Sequence, residues 1–189
     1  MIPIHSQINT IRQTINECFD SLDYWLNLDN KKRSFHPLFG GWTINEILEH
    51  ISLTNYFLLI LIKKGTQKAL KNVNNLILVD ELKGYHFLNA DLEQIGKHKS
   101  FTWIRPEHME PQGGITLNDL KHKLENQRKE CLYYLDSMPN GEGVLYKTTM
   151  TVNGLGKIDV YQYIHFLAMH IHRHLEQMTK IENDYQNEL

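Results

Sequence analysis

The sequence is poor in cysteine, and neither sign of charge dominates it. Only two of its 189 residues are cysteines, too few for a disulfide framework, so we interpret Cys18 and Cys131 as small core residues in a reducing compartment. Lys and Arg number 20 against 22 Asp and Glu. Because nucleic-acid binders usually carry a clustered excess of basic residues, this balance argues against nucleic acid as a partner.

Long hydrophobic stretches are also missing. The longest apolar run, residues 56–62, is far too short to span a bilayer, and residues 1–6 lack the basic and apolar regions of a secretory signal. We therefore predict a cytoplasmic protein that has no membrane partner. The length suits one domain, residues 1–189, with a single sizeable core.

Apolar residues recur at three- and four-residue spacing in four long segments, which predicts four amphipathic helices. We expect these helices from about Ile4 to Leu28, from Thr43 to Lys63-Lys64-Gly65, from Thr116 to about Leu135, and from about Asp159 to Ile181. The pairs Thr43/Glu46 and Asp159/Gln162 have the spacing of capping boxes. Four such helices joined by long connections predict an all-α four-helix bundle.

The connections between these helices are harder to interpret. Basic, proline and glycine residues from Lys31 to Gly41 end the first helix, and residues 144–152 are rich in β-branched side chains, which favours a short extended stretch. Residues 66–115 are the least regular part. Short helices are predicted there around residues 73–82 or 90–95, with loops around Pro106, Pro111 and Gly113-Gly114.

Histidine is abundant, and its placement in the last helix is uneven. The chain has 11 histidines, and four of them lie between His165 and His174. Helical periodicity places His170 and His174 on the apolar face and His165 and His172 on the opposite, outward face. Two histidines at i and i+4 can bind one divalent ion. The alternative is a pair of histidines at the edge of the core that hydrogen-bond to neighbouring helices.

A third ligand would have to come from another helix, and His50 is the best candidate. It lies with Ile47 and Thr54 at the edge of the apolar face of the second helix. A lone histidine at such a position is usually a core residue, but an inward pair on the last helix favours a shared metal site.

Two sequence motifs resemble those of a known family. Residues 41–50 resemble the G-W-S/T-x-x-E-x-x-x-H signature of the DinB/YfiT-like superfamily. Residues 170–178 resemble its H-x-x-x-H-x-x-Q-I/L element, although Glu176 stands where many members have a small residue. The resemblance implies an up-down-down-up four-helix bundle that holds one divalent metal ion with His50, His170 and His174.

The resemblance also implies a range of activities. Characterised members include S-transferases that use low-molecular-weight thiols such as bacillithiol, a mycothiol-dependent isomerase, and proteins described as metal-dependent hydrolases. Three neutral histidines leave a coordination position open, which suits the activation of either a substrate thiol or water. We place the S-transferase slightly ahead of the hydrolase. A non-catalytic metal-binding bundle with a structural or stress-related role is the alternative.

Zinc is the expected metal and nickel the second choice, since imidazole suits both ions. The sequence identifies no catalytic residue and no organic cofactor.

The residues around the three histidines have competing interpretations. Glu46 either orients His50 or, as we favour, caps its helix. Arg173 and Gln177 either contact the small-molecule substrate or belong to an ordinary helix surface. Three aromatic residues (Trp42, Trp103 and Tyr161) are interpreted as packing. Tyr24 and Trp25, beside the apolar face of the first helix, either support the homodimer that we expect or belong to the core.

Overall fold

Helices dominate the fold. The structure is a computed structural model and describes residues 3–37, 40–103 and 106–188. Its helices are α1 (Ile4–Leu26), α2 (Asn30–Arg33), α3 (Ile44–Asn72), α4 (Leu78–Lys83), α5 (Asn89–Gly96), α6 (Leu117–Asp136) and α7 (Val160–Asn187), and its two strands are β1 (Lys147–Met150) and β2 (Gly156–Asp159). Part of the predicted break after the first helix, residues 38 and 39, lies outside the described residues.

The four predicted long helices correspond to α1, α3, α6 and α7. The first two contact each other, and each of them also contacts α6 and α7. Their buried faces form one hydrophobic core, in which α1 contributes Ile11 and Ile15, α3 contributes Ile47 and Ile51, and α7 contributes Leu167 and Ile171. The mostly helical structure agrees with the predicted all-α class.

Both predicted capping boxes are confirmed. The Thr43 hydroxyl accepts a hydrogen bond from the Glu46 N–H, and the Glu46 carboxylate accepts one from the Thr43 N–H. Asp159 and Gln162 exchange the same pair of bonds at the start of α7. These caps satisfy backbone donors that a helix start leaves unpaired, and each contributes about 1 kcal/mol to stability. They fix the starts of the two helices that carry the candidate ligands.

The predicted end of the second helix at Gly65 is wrong, because α3 continues to Asn72. Gly65 lies inside the helix, where a Cβ atom would be 3.1 Å from Cγ2 of Val160. The missing side chain therefore lets α3 approach the start of α7 closely. Leu61, which the apolar periodicity of this helix places on its buried face, is 43% exposed, so that prediction is wrong as well.

The segment between α3 and α6 covers one side of α7. Its two short helices, α4 and α5, overlap the predicted helical regions. Leu92 and Ile95 of α5 are fully buried, and α5 packs against α7. A Cβ atom on Gly96 would lie 3.2 Å from Sδ of Met169, so the two helices are in close contact. As a result, α7 is buried on every side from Val160 to Ile171.

A short hairpin precedes α7. Strands β1 and β2 pair antiparallel, with Met150 opposite Gly156 and Lys147 opposite Asp159. The predicted extended stretch is confirmed for β1, whereas β2 has no counterpart in the prediction. The hairpin leads the chain directly into the cap of α7.

Three further observations concern predictions about compartment and partners. Cys18 and Cys131 are both buried and unbridged, as expected of core cysteines. Within the described ranges, no helix is both long and apolar enough to cross a bilayer. Trp25 is buried, whereas Tyr24 is 53% exposed and its hydroxyl donates to Glu182. The homodimer stays a prediction.

Candidate metal centre

Three histidines from two helices converge at one point. His50 comes from α3, and His170 and His174 come from successive turns of α7. All three are buried, and their candidate ligand atoms lie within 4.8 Å of one another. The Nε2 atoms of His170 and His174 are 3.1 Å apart. The convergence that the helical faces predict is therefore present.

Hydrogen bonds orient two of the three imidazole rings. Nδ1 of His50 lies 2.6 Å from the carbonyl oxygen of Met109, and Nδ1 of His174 lies 2.9 Å from Oε1 of Gln177. A protonated Nδ1 donates to each of these oxygens, which leaves Nε2 as the nitrogen available to a metal ion. Such partners fix the tautomer and the ring orientation of metal-binding histidines.

The spacing of the ring nitrogens fits a divalent ion. Two nitrogens bound to tetrahedral zinc at 2.0–2.1 Å are about 3.3 Å apart, close to the 3.1 Å between Nε2 of His170 and Nε2 of His174. The centroid of the His50 ring lies 5.2 Å from that of His170 and 4.8 Å from that of His174. The donor set contains three imidazoles and no carboxylate or thiolate. These residues could hold one metal ion.

The two imidazoles of α7 that belong to the cluster, those of His170 and His174, are held in their neutral form. Burial lowers the pKa of His170 well below its usual value, and the neighbouring His174 and His50 add to this effect. Burial, together with His50, lowers the pKa of His174 to about 3. Since a metal ion binds the deprotonated imidazole, both side chains have the required protonation state at neutral pH.

The loop beside His50 is anchored by a buried carboxylate that the sequence analysis missed. The two Glu49 oxygens accept the N–H groups of Gln112 and Gly113 at 3.1 and 3.0 Å. Residues 107–109 of the same segment supply the carbonyl that contacts His50. The sequence does contain a signal for this role, because Glu49 is a charged residue directly before the candidate ligand His50 on a helix with an apolar face.

An apolar cleft of about 460 Å³ opens at the three histidines. Trp42 and Trp103 form part of its wall, with ring centroids 4.7 Å from that of His50 and 5.7 Å from that of His170. The interpretation of these tryptophans as packing is therefore incomplete. Apart from the histidines and tryptophans, the described lining consists of Thr54, Leu58, Leu61, Pro106, Met109, Met150, Thr151, Val152, Phe166, Arg173 and Gln177.

The outward placement of His165 is wrong. This residue is buried, with its ring 5.4 Å from that of Phe87, and burial lowers its pKa to about 4. Helical periodicity could not anticipate this because the covering residues come from the irregular segment after α3. His172 is exposed as predicted.

Other predicted neighbours have clear positions. Glu46 caps α3, as favoured above. Gln177 contacts the ring of His174. Tyr161 is fully buried, and its hydroxyl donates to the Met138 carbonyl, so its interpretation as packing is confirmed. His98, to which the sequence analysis gave no role, lines the cleft. Burial and the positive charges of Lys180 and Arg173 lower its pKa.

Comparison with known proteins identifies the family of the chain. A family model described as the DinB superfamily matches residues 11–178, which span α1 through most of α7. The chain therefore belongs to the DinB superfamily. No curated protein and no solved structure matches it.

Proposed function

We propose that the protein is a divalent-metal-dependent enzyme with His50, His170 and His174 as its metal ligands, and that it transfers the sulfur of a low-molecular-weight thiol. The observation that supports this proposal is the position of three buried, converging histidines at the wall of an apolar cleft. A purely structural zinc site would usually have four protein ligands. The cluster found among the described residues offers three protein ligands.

The fourth coordination position would face the cleft and belong to the substrate. When bound, the ion would supply Lewis acidity that lowers the pKa of a substrate thiol, and the thiolate is the nucleophile in sulfur transfer. Gln177 and the Met109 carbonyl would keep two of the ligand rings in place. Zinc is the proposed metal and nickel the second choice, because imidazole ligands suit both.

The cleft walls favour an organic electrophile as the second substrate. Leu58, Phe166 and Trp103 provide apolar surface beside the histidines, and such surface binds carbon-rich groups while reducing access of water. In the transfer, the thiolate sulfur forms a bond to carbon, the leaving group departs with the bonding electrons, and the thiol proton goes to solvent. None of the described residues that line the cleft is an Asp or Glu that could act as a base.

Hydrolysis is the second candidate activity. It would use the same open position for water in place of the thiol. A non-catalytic, structural or stress-related metal bundle is the remaining alternative, and it predicts metal binding without turnover.

The direct test is an assay with bacillithiol and a chloro-nitroaromatic electrophile, in which the release of chloride measures the reaction. We expect turnover by the zinc- or nickel-loaded protein, loss after chelation, and recovery when the metal is returned. His170→Ala should abolish turnover while helix content is retained. His172→Ala, an exposed histidine on the same helix, is the matched control and should behave like the wild type.

The outcomes separate the three candidates. Turnover that is insensitive to chelation and to His170→Ala would contradict the proposal. Metal-dependent ester or amide hydrolysis without thiol transfer would favour the hydrolase. Metal binding with neither activity would favour the non-catalytic bundle.

The proposal also includes the helix arrangement and the cellular compartment of the protein. We propose that residues 1–189 form one domain in which α1, α3, α6 and α7 make an up-down-down-up bundle. We place the protein in the cytoplasm, and its two buried, unbridged cysteines suit a reducing compartment.

A further inference from the structure

Among the residues that the structure describes, the lining of the cleft beside the histidines includes a positive charge and no negative charge. Among the described residues that line it, none is Asp or Glu. Arg173 is the side chain with a permanent charge in this described lining, and it is only 8% exposed. Three neutral imidazoles do not offset the charge of a bound divalent ion. The combined field therefore favours a substrate with an anionic group.

Arg173 is held rigidly in this wall. Its guanidinium carbon lies 5.2 Å from the ring centroid of Phe101 and 5.0 Å from that of Trp103. Nη1 donates to the carbonyl of Lys97 and to Oγ of Ser100. Stacking on two aromatic rings and two hydrogen bonds fix the plane of the guanidinium group.

The nearest acidic residue on the same helix is already engaged. Oε2 of Glu176 accepts the backbone N–H of His98 at 2.9 Å. No ion pair joins Arg173 to an acid in the part of the chain that the structure describes. The charge of Glu176 acts on Arg173, but among the described residues no carboxylate is hydrogen-bonded to its guanidinium group. A buried cation held by two aromatic rings, one carbonyl and one hydroxyl is suited to bind a carboxylate of a ligand.

The orientation of Arg173 leaves a binding edge available. Nε and Nη2 make no hydrogen bond to any described group, neither is a fully buried atom without a partner, and the residue lines the cleft. These two nitrogens lie along one edge of the guanidinium plane, where two parallel N–H groups match the two oxygens of a carboxylate. Arg173 also directly precedes the candidate ligand His174 in α7.

We infer that Arg173 binds a carboxylate group of the thiol substrate through Nε and Nη2, while the sulfur of that substrate is held at the three-histidine centre. The inference rests on the proposed function, because it names the substrate class of the same site. It predicts selectivity for carboxylate-bearing thiols over neutral thiols of the same size.

The test uses two probes that differ in charge, 3-mercaptopropionate and 3-mercaptopropionamide. Binding of each probe to the zinc-loaded full-length protein is measured by isothermal titration calorimetry. We expect the carboxylate probe to bind about 10- to 100-fold more tightly, the range of a charge-assisted pair of hydrogen bonds. This measurement on the wild type needs no variant to fold.

Variants then assign the preference to Arg173. Arg173→Met should remove the preference while the affinity for the amide probe changes little. Arg173→Lys should retain only part of it, because an ammonium group cannot make the two parallel bonds. Lys180→Met, which removes a nearby exposed cation from α7, is the control and should keep the preference.

The failure of this inference is distinguishable from that of the metal site. If both probes bind equally and only in the presence of zinc, the metal centre stands and the role of Arg173 is wrong. If Arg173→Met still binds the carboxylate probe more tightly than the amide probe, the role of Arg173 is likewise wrong. If neither probe binds in a zinc-dependent manner, the open metal site is contradicted and this inference with it.

Discussion

The buried histidines of α7 occupy two different environments. His165, in the first half of the helix, packs against Phe87 and belongs to no candidate metal-ligand cluster among the described residues. His170 and His174, in the second half, meet His50 and line an open cleft. All three side chains of α7 are buried, and burial lowers the pKa of each.

This difference shows that burial alone does not define a metal site. His165 has the burial and the depressed pKa of a ligand, but in the described part of the chain it is neither in the histidine cluster nor in the cleft lining. The second half of α7 contributes to both, because α3 supplies His50 and the cleft opens beside it. We therefore propose that the first half of α7 stabilises the fold and that the second half supplies the metal ligands.

The strongest test of this division replaces one histidine at a time. His170→Ala should lower zinc affinity more than about 100-fold, because it removes one of three ligands that share a binding free energy of at least about 10 kcal/mol. His165→Phe, which fits the apolar contact with Phe87, should leave the affinity within about 3-fold. Competition titration with a chelator of known affinity measures both, and equal losses in the two variants would remove the distinction.

Acid should reveal the role of His165 in the metal-free protein. Its pKa is lowered by burial from 6.5 to about 4, so the unfolded chain binds more protons between these values, and stability falls as the pH decreases through them. We expect His165→Phe to remove about 3 kcal/mol of the loss of stability between pH 7 and pH 4. Urea unfolding at both pH values measures this difference.

The comparison between variants isolates the contribution of His165 from that of the other buried histidines. A wild-type protein and a His165→Phe variant with the same pH dependence would show that His165 is not kept neutral by the fold.

Removing an orienting partner should have a smaller effect than removing a ligand. Gln177→Leu deletes the acceptor at Nδ1 of His174, and the loss of such partners typically weakens metal binding about 10- to 100-fold. Gln186→Leu changes an exposed glutamine on the same helix and serves as the control. Zinc titration of the two variants should separate them, and identical affinities would argue that Gln177 does not orient the ring.

The smallest predicted effect concerns the start of α7. Asp159→Ala removes the cap and should cost about 1 kcal/mol of unfolding free energy relative to Asp159→Asn, whose amide oxygen can still accept the Gln162 N–H. Because burial raises the pKa of Asp159 to about 6, Asn should be at least as stable as the wild type at pH 7. Both variants should bind zinc with wild-type affinity in chelator competition. Weakened zinc binding would show that the cap at the start of α7 affects the metal ligands in its second half.

The sequence could predict features that depend on local pattern. The capping boxes at Thr43 and Asp159 follow from residues three positions apart, and each long helix follows from its apolar face. The inward placement of His50, His170 and His174 follows from the same periodicity. The resemblance then selected the same three residues, and the structure brings them together.

Features that depend on contacts between distant segments could not be predicted in this way. The burial of His165 requires residues 85–96 to cover α7, and the length of α3 requires Gly65 to face Val160. The Met109 carbonyl that orients His50 is a backbone atom in a loop, so no side-chain pattern indicates it. The role of Glu49 depends on that same loop.

The central claim is that His50, His170 and His174 hold one divalent ion with an open coordination position. Elemental analysis combined with X-ray absorption spectroscopy of the zinc-loaded protein tests it most directly. We predict about one zinc per chain, with three imidazole nitrogens at 2.0–2.1 Å and a sulfur at about 2.3 Å only after thiol is added. Less than about 0.1 zinc per chain after loading, or four protein ligands that added thiol does not change, would contradict the account.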